Sequence, residues 1–305
     1  MPGAQSSDTS DQTRPTVHVS GPVPARITAE LERDFVLVGG PAGADGILSL
    51  IDTTVDDAYL EQAGPQLEVV ANYGVGVNNI DLDAAARRGV VVTNTPDVLT
   101  RTTAELAVTL MLALLRRVVE GDRMLRRRQP WHFTLEFMLG ESLDGKLLGI
   151  VGAGRIGRET GRLAAAFGAK AVYAGRNDPL HELLGETDIV SLHCPLTAET
   201  RHLIDAEALR RMKRSAVLVN TARGPIVDEA ALVQALRAGE IAGAALDVFE
   251  FEPAVAEELL PMENVVLSPH LGSATRPTRE AMGMLAVEAL RAVLLRNERP
   301  PNTVA

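Results

Sequence analysis

The sequence is short of several things at once. It has a single cysteine, Cys194, so neither a disulfide framework nor a cysteine zinc cluster can form within one chain. Aromatic residues are only 3% of the total, and packing must therefore rest on Ala, Val, Leu and Ile. Long apolar runs are missing: the most apolar stretch, LAVTLMLALL (106–115), is too short to span a bilayer and runs straight into Arg116 and Arg117. The opening MPGAQSSDTSDQTRP has no apolar segment of the signal-peptide kind, and residues 1–14 read as a flexible polar tail. Positive charge is also in deficit. A net charge of −10 repels a phosphate backbone, which excludes general nucleic-acid binding. No HExxH or other zinc spacing occurs and no GxSxG nucleophile elbow, so no metal is expected. These absences describe a cytoplasmic protein that engages neither membrane nor nucleic acid.

What is present is ordered. A length of 305 residues suggests two domains. The runs TVHVS (16–20), FVLV (35–38), GILSL (46–50), LEVVAN (67–72) and VVVT (90–93) read as strands, separated by helix-like pieces such as ARITAELER and DLDAAARRG. A helix is expected over roughly 103–127, with hydroxyls before it and Glu105 as a capping-box partner. A second strand series begins at LLGIV (147–151) and continues through AVYA, DIVSLH, AVLVN, GAALDV and NVVLS, with helices between. A last helix is expected from about Arg279 to Arg296. Strands alternating with helices imply α/β architecture with parallel sheets covered on both faces. The expected layout is a dinucleotide-binding domain, 102–284, inserted in a substrate domain made of 15–101 and 285–305.

The hexapeptide GAGRIG (152–157) lies where a strand gives way to a helix, with Ile156, Thr160, Leu163 and Phe167 recurring on one helix face. In that context Gly152 permits a tight turn, Gly154 lets a pyrophosphate approach, and Gly157 allows close helix–strand packing, with Arg155 and Ile156 opening the helix that faces the phosphates. About 20 residues later, where an acid usually meets the adenosine ribose, stand Gly175 and Arg176. An acid at 175 would repel a 2′-phosphate. Gly175 leaves room for one and Arg176 can neutralise it, so NADP(H) is expected to be preferred, with NAD(H) also accepted.

Ligands of a doubly wound sheet sit beyond the carboxyl ends of its strands. Those ends carry His193, Cys194 and Pro195, then Arg223 in NTARG, then Asp247 with Glu250 and Glu252 in LDVFEFEP, then His270 in SPHLGSAT. Hydride transfer to a ketone builds charge on oxygen, which asks for a proton donor such as histidine, a carboxylate beside it, and an arginine to hold a substrate carboxylate. Each has a plainer reading. Arg223 could be a surface arginine, Asp247 a cap, His270 a core histidine, and Glu250 is better read as a solvated loop acid. His18, His132, His181 and His202 share no motif, His193 reads as packing, and Cys194 as a packing residue on the cofactor side.

With these residues in place, the chain resembles the D-isomer-specific 2-hydroxyacid dehydrogenase family from about Pro15 to Val304. The motifs that carry the likeness are GVGVNNIDL, LLGIVGAGRIG, LHCPLT, VNTARGPIVDEAAL, GAALDVFEFEP and NVVLSPHLGSAT. The resemblance implies two doubly wound parallel-sheet domains, a Rossmann dinucleotide-binding domain inserted in a flavodoxin-like substrate domain. It implies that His270 is the acid/base paired with Glu252, and that Arg223 anchors and polarises a 2-oxo acid whose carboxylate is gripped by the N–H groups of Val75 and Gly76. Asp247 would orient the nicotinamide carboxamide. Thr200, Thr221 and Ala222, with Gly272 in the His270 loop, would line the cofactor cleft. Within the family, TPDVLTRTTAELAVTLMLALLRR and AVYAGRN look most like glyoxylate/hydroxypyruvate reductases, and Leu50 falls where those enzymes line a small substrate pocket. The family usually forms homodimers through the long helix and the segment near Trp131; the Arg126 to Arg128 run reads as a solvated helix end. The expected activity is reduction of a small 2-oxo acid to a D-2-hydroxy acid; a broader lactate-like dehydrogenase or a dinucleotide-sensing corepressor remain as alternatives. One departure stands out. Family members usually have some ten more residues, including a short strand, between AVYAGRN and the next helix, so either this loop is naturally short or residues are absent from the chain.

Overall fold

The computed structural model describes residues 14–305; all of the expected tail except Arg14 lies outside the described residues. In chain order the elements begin β1 (Thr16–Val19), α1 (Ala25–Asp34), β2 (Val36–Val38), β3 (Gly46–Ser49), α2 (Asp57–Ala63), β4 (Val69–Asn72), α3 (Leu82–Arg87) and β5 (Val91–Thr93). They continue α4 (Thr100–Leu115), α5 (Val118–Arg126), β6 (Leu147–Val151), α6 (Arg155–Ala165), β7 (Lys170–Ala174), α7 (Leu180–Glu186), β8 (Ile189–Leu192), α8 (Ala206–Arg211), β9 (Val217–Asn220), α9 (Glu229–Ala238), β10 (Gly243–Leu246), β11 (Val265–Leu267) and α10 (Arg276–Arg296). Two compact units result. One comprises the described residues through Pro96 together with those from Arg279 onward; the other runs from Asp97 to Thr278.

The first unit holds a five-stranded parallel sheet in the order β2-β1-β3-β4-β5. Every residue of β3 and β4 is buried, which is why those segments read as continuous apolar runs. Gly46 allows α10 to lie close: a Cβ there would come 2.9 Å from the side chains of Leu290 and Leu294. The second unit holds a six-stranded parallel sheet in the order β11-β10-β9-β8-β6-β7. Its two faces separate cleanly by the two-residue period of a strand. Val190, Leu192, Leu218 and Leu246 face one core with Leu184, Leu209 and Leu232, while Ile189, Val217, Val219 and Ala245 face another with Met111 and Ala164. Four helices start on an aspartate whose side chain accepts the N–H three residues on: Asp56 from Tyr59 and Asp81 from Ala84 at 2.8 Å, Asp205 from Ala208 at 2.8 Å, and Asp228 from Ala231 at 2.9 Å.

Two expectations fail locally. The helix anticipated over 103–127 is two helices. The Leu115 carbonyl accepts the N–H of Glu141 at 2.9 Å, and Arg117 turns left-handed (φ 53°). The Arg117 guanidinium then grips Glu120 through Nε at 2.7 Å and Nη2 at 2.6 Å, opening α5 in a new direction. Nor does Glu105 form a capping box; it pairs with Arg101 at 2.8 Å, one turn away. The second failure concerns the helix after GAGRIG. Its buried face is Gly157, Thr160, Gly161 and Ala164, while Phe167 lies beyond the helix and half-exposed. Small residues are selected there because a Cβ on Gly161 would meet Ala171 Cβ at 3.0 Å.

Candidate active site

The GAGRIG turn is built by steric necessity. Gly152 sits at φ 101°, and a Cβ on it would lie 2.5 Å from Cys194 N and 2.6 Å from His193 C, so the end of β8 presses directly on the turn. A Cβ on Gly157 would overlap the Gly152 carbonyl oxygen. Gly154 differs: nothing of the protein lies within 4 Å of where its Cβ would be. It is also the N-cap of α6 and gives no side-chain cap, so the first-turn N–H groups of that helix remain for an outside acceptor. The Thr221 hydroxyl, at the carboxyl end of β9, is buried and has no hydrogen-bond partner among the described residues. An open glycine cradle under an uncapped helix start, with an orphaned hydroxyl two strands away, fits a dinucleotide. Arg155, the first helical residue, pairs with Asp97 at 2.9 Å in the open.

The remaining residues expected around a cofactor fall along the same sheet edge. Cys194 is half-buried, and desolvation pushes its thiol up to about 11, which leaves it unreactive at neutral pH. Burial pulls His193 down to about 4, and its Nε2 lies 2.8 Å from Ser191 Oγ. Thr200 closes the turn after Pro195: its hydroxyl donates to the Pro195 carbonyl at 2.7 Å and accepts the Thr197 N–H at 2.7 Å. Ala222 donates its N–H to Asn220 Oδ1 at 3.0 Å.

Arg223, Glu252 and His270 are brought together. His270 Nδ1 is 2.9 Å from Glu252 Oε2, and Glu252 Oε1 accepts the Phe249 N–H at 2.9 Å. Desolvation opposes ionisation of Glu252. The hydrogen bonds from His270 and Phe249, with the charges of His270 and Arg223, outweigh it and hold the carboxyl below the usual range. Arg223 feels the opposite balance: burial lowers its pKa while the Glu252 charge raises it. Its Nη1 donates to the Ala222 carbonyl at 2.7 Å. Directly after it, Gly224 comes so close to Phe249 that any Cβ would collide with the Phe249 carbonyl.

Asp247 has a role that its sequence did not reveal. It is buried, and its Oδ1 accepts from the Ser268 hydroxyl and from the Leu271 N–H at 2.7 Å, while Oδ2 accepts the Gly272 N–H at 2.8 Å. Its backbone carbonyl takes the His270 N–H at 2.8 Å. Desolvation raises its pKa, and the bonds from Ser268 and the loop N–H groups counter this. One residue thus holds three consecutive N–H groups and keeps His270 in a left-handed conformation (φ 52°).

Glu250 is not a solvated loop acid. Its side chain is only 6% exposed. Oε1 accepts from His202 Nε2 at 2.6 Å and Arg201 Nη2 at 3.2 Å, and Oε2 from the Glu229 N–H at 3.2 Å. Buried Glu229 reciprocates: its carboxylate accepts the Glu250 N–H at 3.1 Å and the Ala256 N–H at 3.0 Å. This interlock fixes the turn that carries Glu252. It also gives His202, which shared no motif, a partner.

In the first unit, Leu50 follows β3 and the Val75–Gly76 peptide follows β4. Three asparagines shape these loops. Asn94 Nδ2 donates to the Val75 carbonyl at 2.9 Å, and Asn72 Nδ2 to the Gly76 carbonyl at 2.9 Å. Asn79 Nδ2 donates to the Leu50 carbonyl at 3.2 Å. Because a trans peptide opposes its C=O and N–H, anchoring the Val75 carbonyl on Asn94 turns the Gly76 N–H the other way.

At the adenosine end, β7 is the last strand of its sheet; no further strand pairs with it among the described residues. The space beside Gly175 is not open as expected. Asp178 Oδ2 accepts the Gly175 N–H at 2.7 Å. Arg176 is exposed, and its charge helps hold the Glu199 carboxyl below the usual range, after the hydrogen bonds from Thr197 and from the Glu199 N–H.

The chain is similar over most of its length to known proteins. Residues 108–272 match the family described as D-isomer specific 2-hydroxyacid dehydrogenase, NAD binding domain. A glyoxylate reductase from Korarchaeum cryptofilum is 44% identical over 322 aligned residues, covering 95% of this chain and 96% of the relative. That alignment is longer than the chain, so the relative has residues with no counterpart here. The TT0316 protein from Thermus thermophilus superposes with a TM-score of 0.88 at 42% identity, covering 95% of this chain and all of the other (100%). The NADPH-dependent glyoxylate/hydroxypyruvate reductase from Sinorhizobium meliloti, in complex with NADP and malonate, superposes with a TM-score of 0.86 at 36% identity, covering 96% and 97% of the two chains. Among the described residues, no helix is long and apolar enough to cross a membrane.

Proposed function

Because this chain belongs to the D-isomer specific 2-hydroxyacid dehydrogenases, we propose that it is an NADPH-preferring reductase of small 2-oxo acids, with glyoxylate and hydroxypyruvate as its substrates and D-2-hydroxy acids as products. The observation that carries this reading is the 2.9 Å contact between His270 and Glu252, within the field of the half-buried Arg223. A nicotinamide dinucleotide held by the GAGRIG turn would supply the hydride that reduces C2. His270, whose Nδ1 is committed to Glu252, delivers a proton from Nε2 to the C2 oxygen and is reprotonated from solvent. Glu252 stays ionised throughout and fixes the orientation of the ring. Arg223 polarises the carbonyl and binds the substrate carboxylate, with the N–H groups of Val75 and Gly76 supplying further donors and Leu50 limiting side-chain size. Asp247 orients the nicotinamide carboxamide, and Thr221, Ala222, Thr200, Cys194, Pro195 and Gly272 line the dinucleotide.

The preference for NADPH is supported by Arg176 and by the absence of an acid at Gly175 itself. The substrate assignment is supported by the glyoxylate reductase of Korarchaeum cryptofilum. We further propose a cytoplasmic homodimer. The segment after α5 favours it: Phe133 is 80% and Leu135 87% exposed, and the half-exposed Trp131 stacks on Phe137 at 5.9 Å. Initial rates on glyoxylate, hydroxypyruvate and pyruvate, each with NADPH and NADH, test the proposal. The expected order puts glyoxylate and hydroxypyruvate first. A dominant rate on pyruvate would move the chain to the broader lactate-like dehydrogenases, and absence of turnover on all three would refute the reductase reading.

A further inference from the structure

We infer that Asp178 supplies the ribose-side acid that position 175 lacks, and that it limits how far this chain can favour a 2′-phosphorylated dinucleotide. The inference rests on the dinucleotide reading of the GAGRIG turn and not on the identity of the oxo acid.

In a sheet of this topology the adenosine ribose lies past the carboxyl end of the second strand of the binding unit, where an acid meets its hydroxyls. That strand is β7, which ends at Ala174. The next residue is Gly175, and a Cβ on it would be 3.3 Å from Asp178 Oδ2. A turn between β7 and α7 therefore folds a carboxylate back to about the place where the side chain of an acid at 175 would stand. Two bonds hold it: the Gly175 N–H donates to Oδ2 at 2.7 Å, and the Asp178 N–H donates to the Gly175 carbonyl at 3.4 Å. The link is short, only residues 175–179, and Pro179 caps α7 immediately after Asp178, so the carboxylate has little freedom to leave the strand end.

The charges on this edge oppose one another. Arg176 is an exposed cation beside this strand end, two residues before Asp178 in sequence, and the Glu199 carboxyl responds to its charge. A ribose 2′-hydroxyl can donate to Asp178. A 2′-phosphate, which carries about −1.5 to −2 charge at neutral pH, is drawn by Arg176 and repelled by Asp178. The preference is a balance between these two side chains, and the wild-type chain keeps the ability to bind NADH.

The test is calorimetric titration of the full chain with NADPH and with NADH, in the absence of any oxo acid. D178N keeps an oxygen to accept the Gly175 N–H, so the turn survives while the charge is removed. We expect D178N to bind NADPH about tenfold more tightly, which is about 1.4 kcal/mol, and NADH no more tightly than wild type. R176A should move the ratio the other way. A ratio within twofold of wild type in D178N would overturn the assignment and leave Asp178 a turn-closing residue. Failure of the wild-type chain to bind either dinucleotide would instead overturn the dinucleotide reading on which it rests.

Discussion

Replacing Gly154 with alanine separates a phosphate-binding turn from a glycine-rich turn of purely structural origin. The backbone at Gly154 is φ −73° and ψ −171°, extended geometry that alanine adopts without strain, and the added methyl would meet no protein atom within 4 Å. The fold should therefore tolerate G154A, and the loss of unfolded-chain freedom should stabilise it by about 0.4–1 kcal/mol. A bound pyrophosphate has no such tolerance, because its oxygens need the space just above that backbone to reach the uncapped N–H groups of α6. The methyl would weaken one or two charge-assisted hydrogen bonds, each worth about 1.5–3 kcal/mol. The resulting loss, about 2–4 kcal/mol, corresponds to roughly 30- to several-hundred-fold in the dissociation constant. The assay is NADPH titration alongside thermal unfolding of the same samples. The contrast is G157A, whose methyl would overlap the Gly152 carbonyl oxygen and should impair folding and binding together. Unchanged NADPH affinity in a normally folded G154A would refute the argument, since the open face of the turn would then hold no phosphate.

His270→Ala should lower kcat by about 10²–10⁴ while the NADPH dissociation constant stays within about twofold of wild type; near-normal turnover would remove His270 from the chemistry. Glu250→Ala leaves the Glu229 N–H without its acceptor and should destabilise the chain by about 2–3 kcal/mol in urea unfolding, with Glu250→Gln losing less; equal stability of wild type and both variants would mean that the interlock contributes nothing. The depressed His193 sets an acid limit. Its ring stays neutral in the folded chain down to about pH 4, while the unfolded chain takes up a proton near 6.5. Stability from this group is complete above pH 6.5 and is lost as pH falls towards 4. The value is about 1–3 kcal/mol at roughly 1.4 kcal/mol per pH unit, reduced for its partial exposure. His193→Asn should therefore lose less stability than wild type between pH 7 and 4.5, and parallel losses would contradict this origin.

The strands were legible because burial on both faces leaves an unbroken apolar run, as at β8 and β9, and a period of two needs no tertiary information. GAGRIG was legible because its glycines answer local steric demands. The helix break at Arg117 was not, because its cause is the N–H of Glu141, donated from a distant part of the chain. The interlock of Glu229 with Glu250 was hidden for the same reason: two acids 21 positions apart read as repelling surface charges until each is seen accepting the other's N–H. Asp178 was missed differently. An acid is expected at the strand end itself, whereas this carboxylate folds back to the Gly175 N–H from three residues later. The asparagines behind the Val75–Gly76 peptide had no periodicity to mark them.

The meeting of Gly224 with the Phe249 carbonyl bears on how this scaffold could be diversified. The loop that presents Arg223 and the turn that presents Glu252 share a wall with no spare volume, so substitutions there would be selected first for fit and only then for chemistry. On the proposed substrate assignment, a library aimed at new oxo acids would belong instead around Leu50 and the Val75–Gly76 peptide. There asparagine side chains, not neighbouring backbone packed without spare volume, hold the carbonyls of Leu50, Val75 and Gly76.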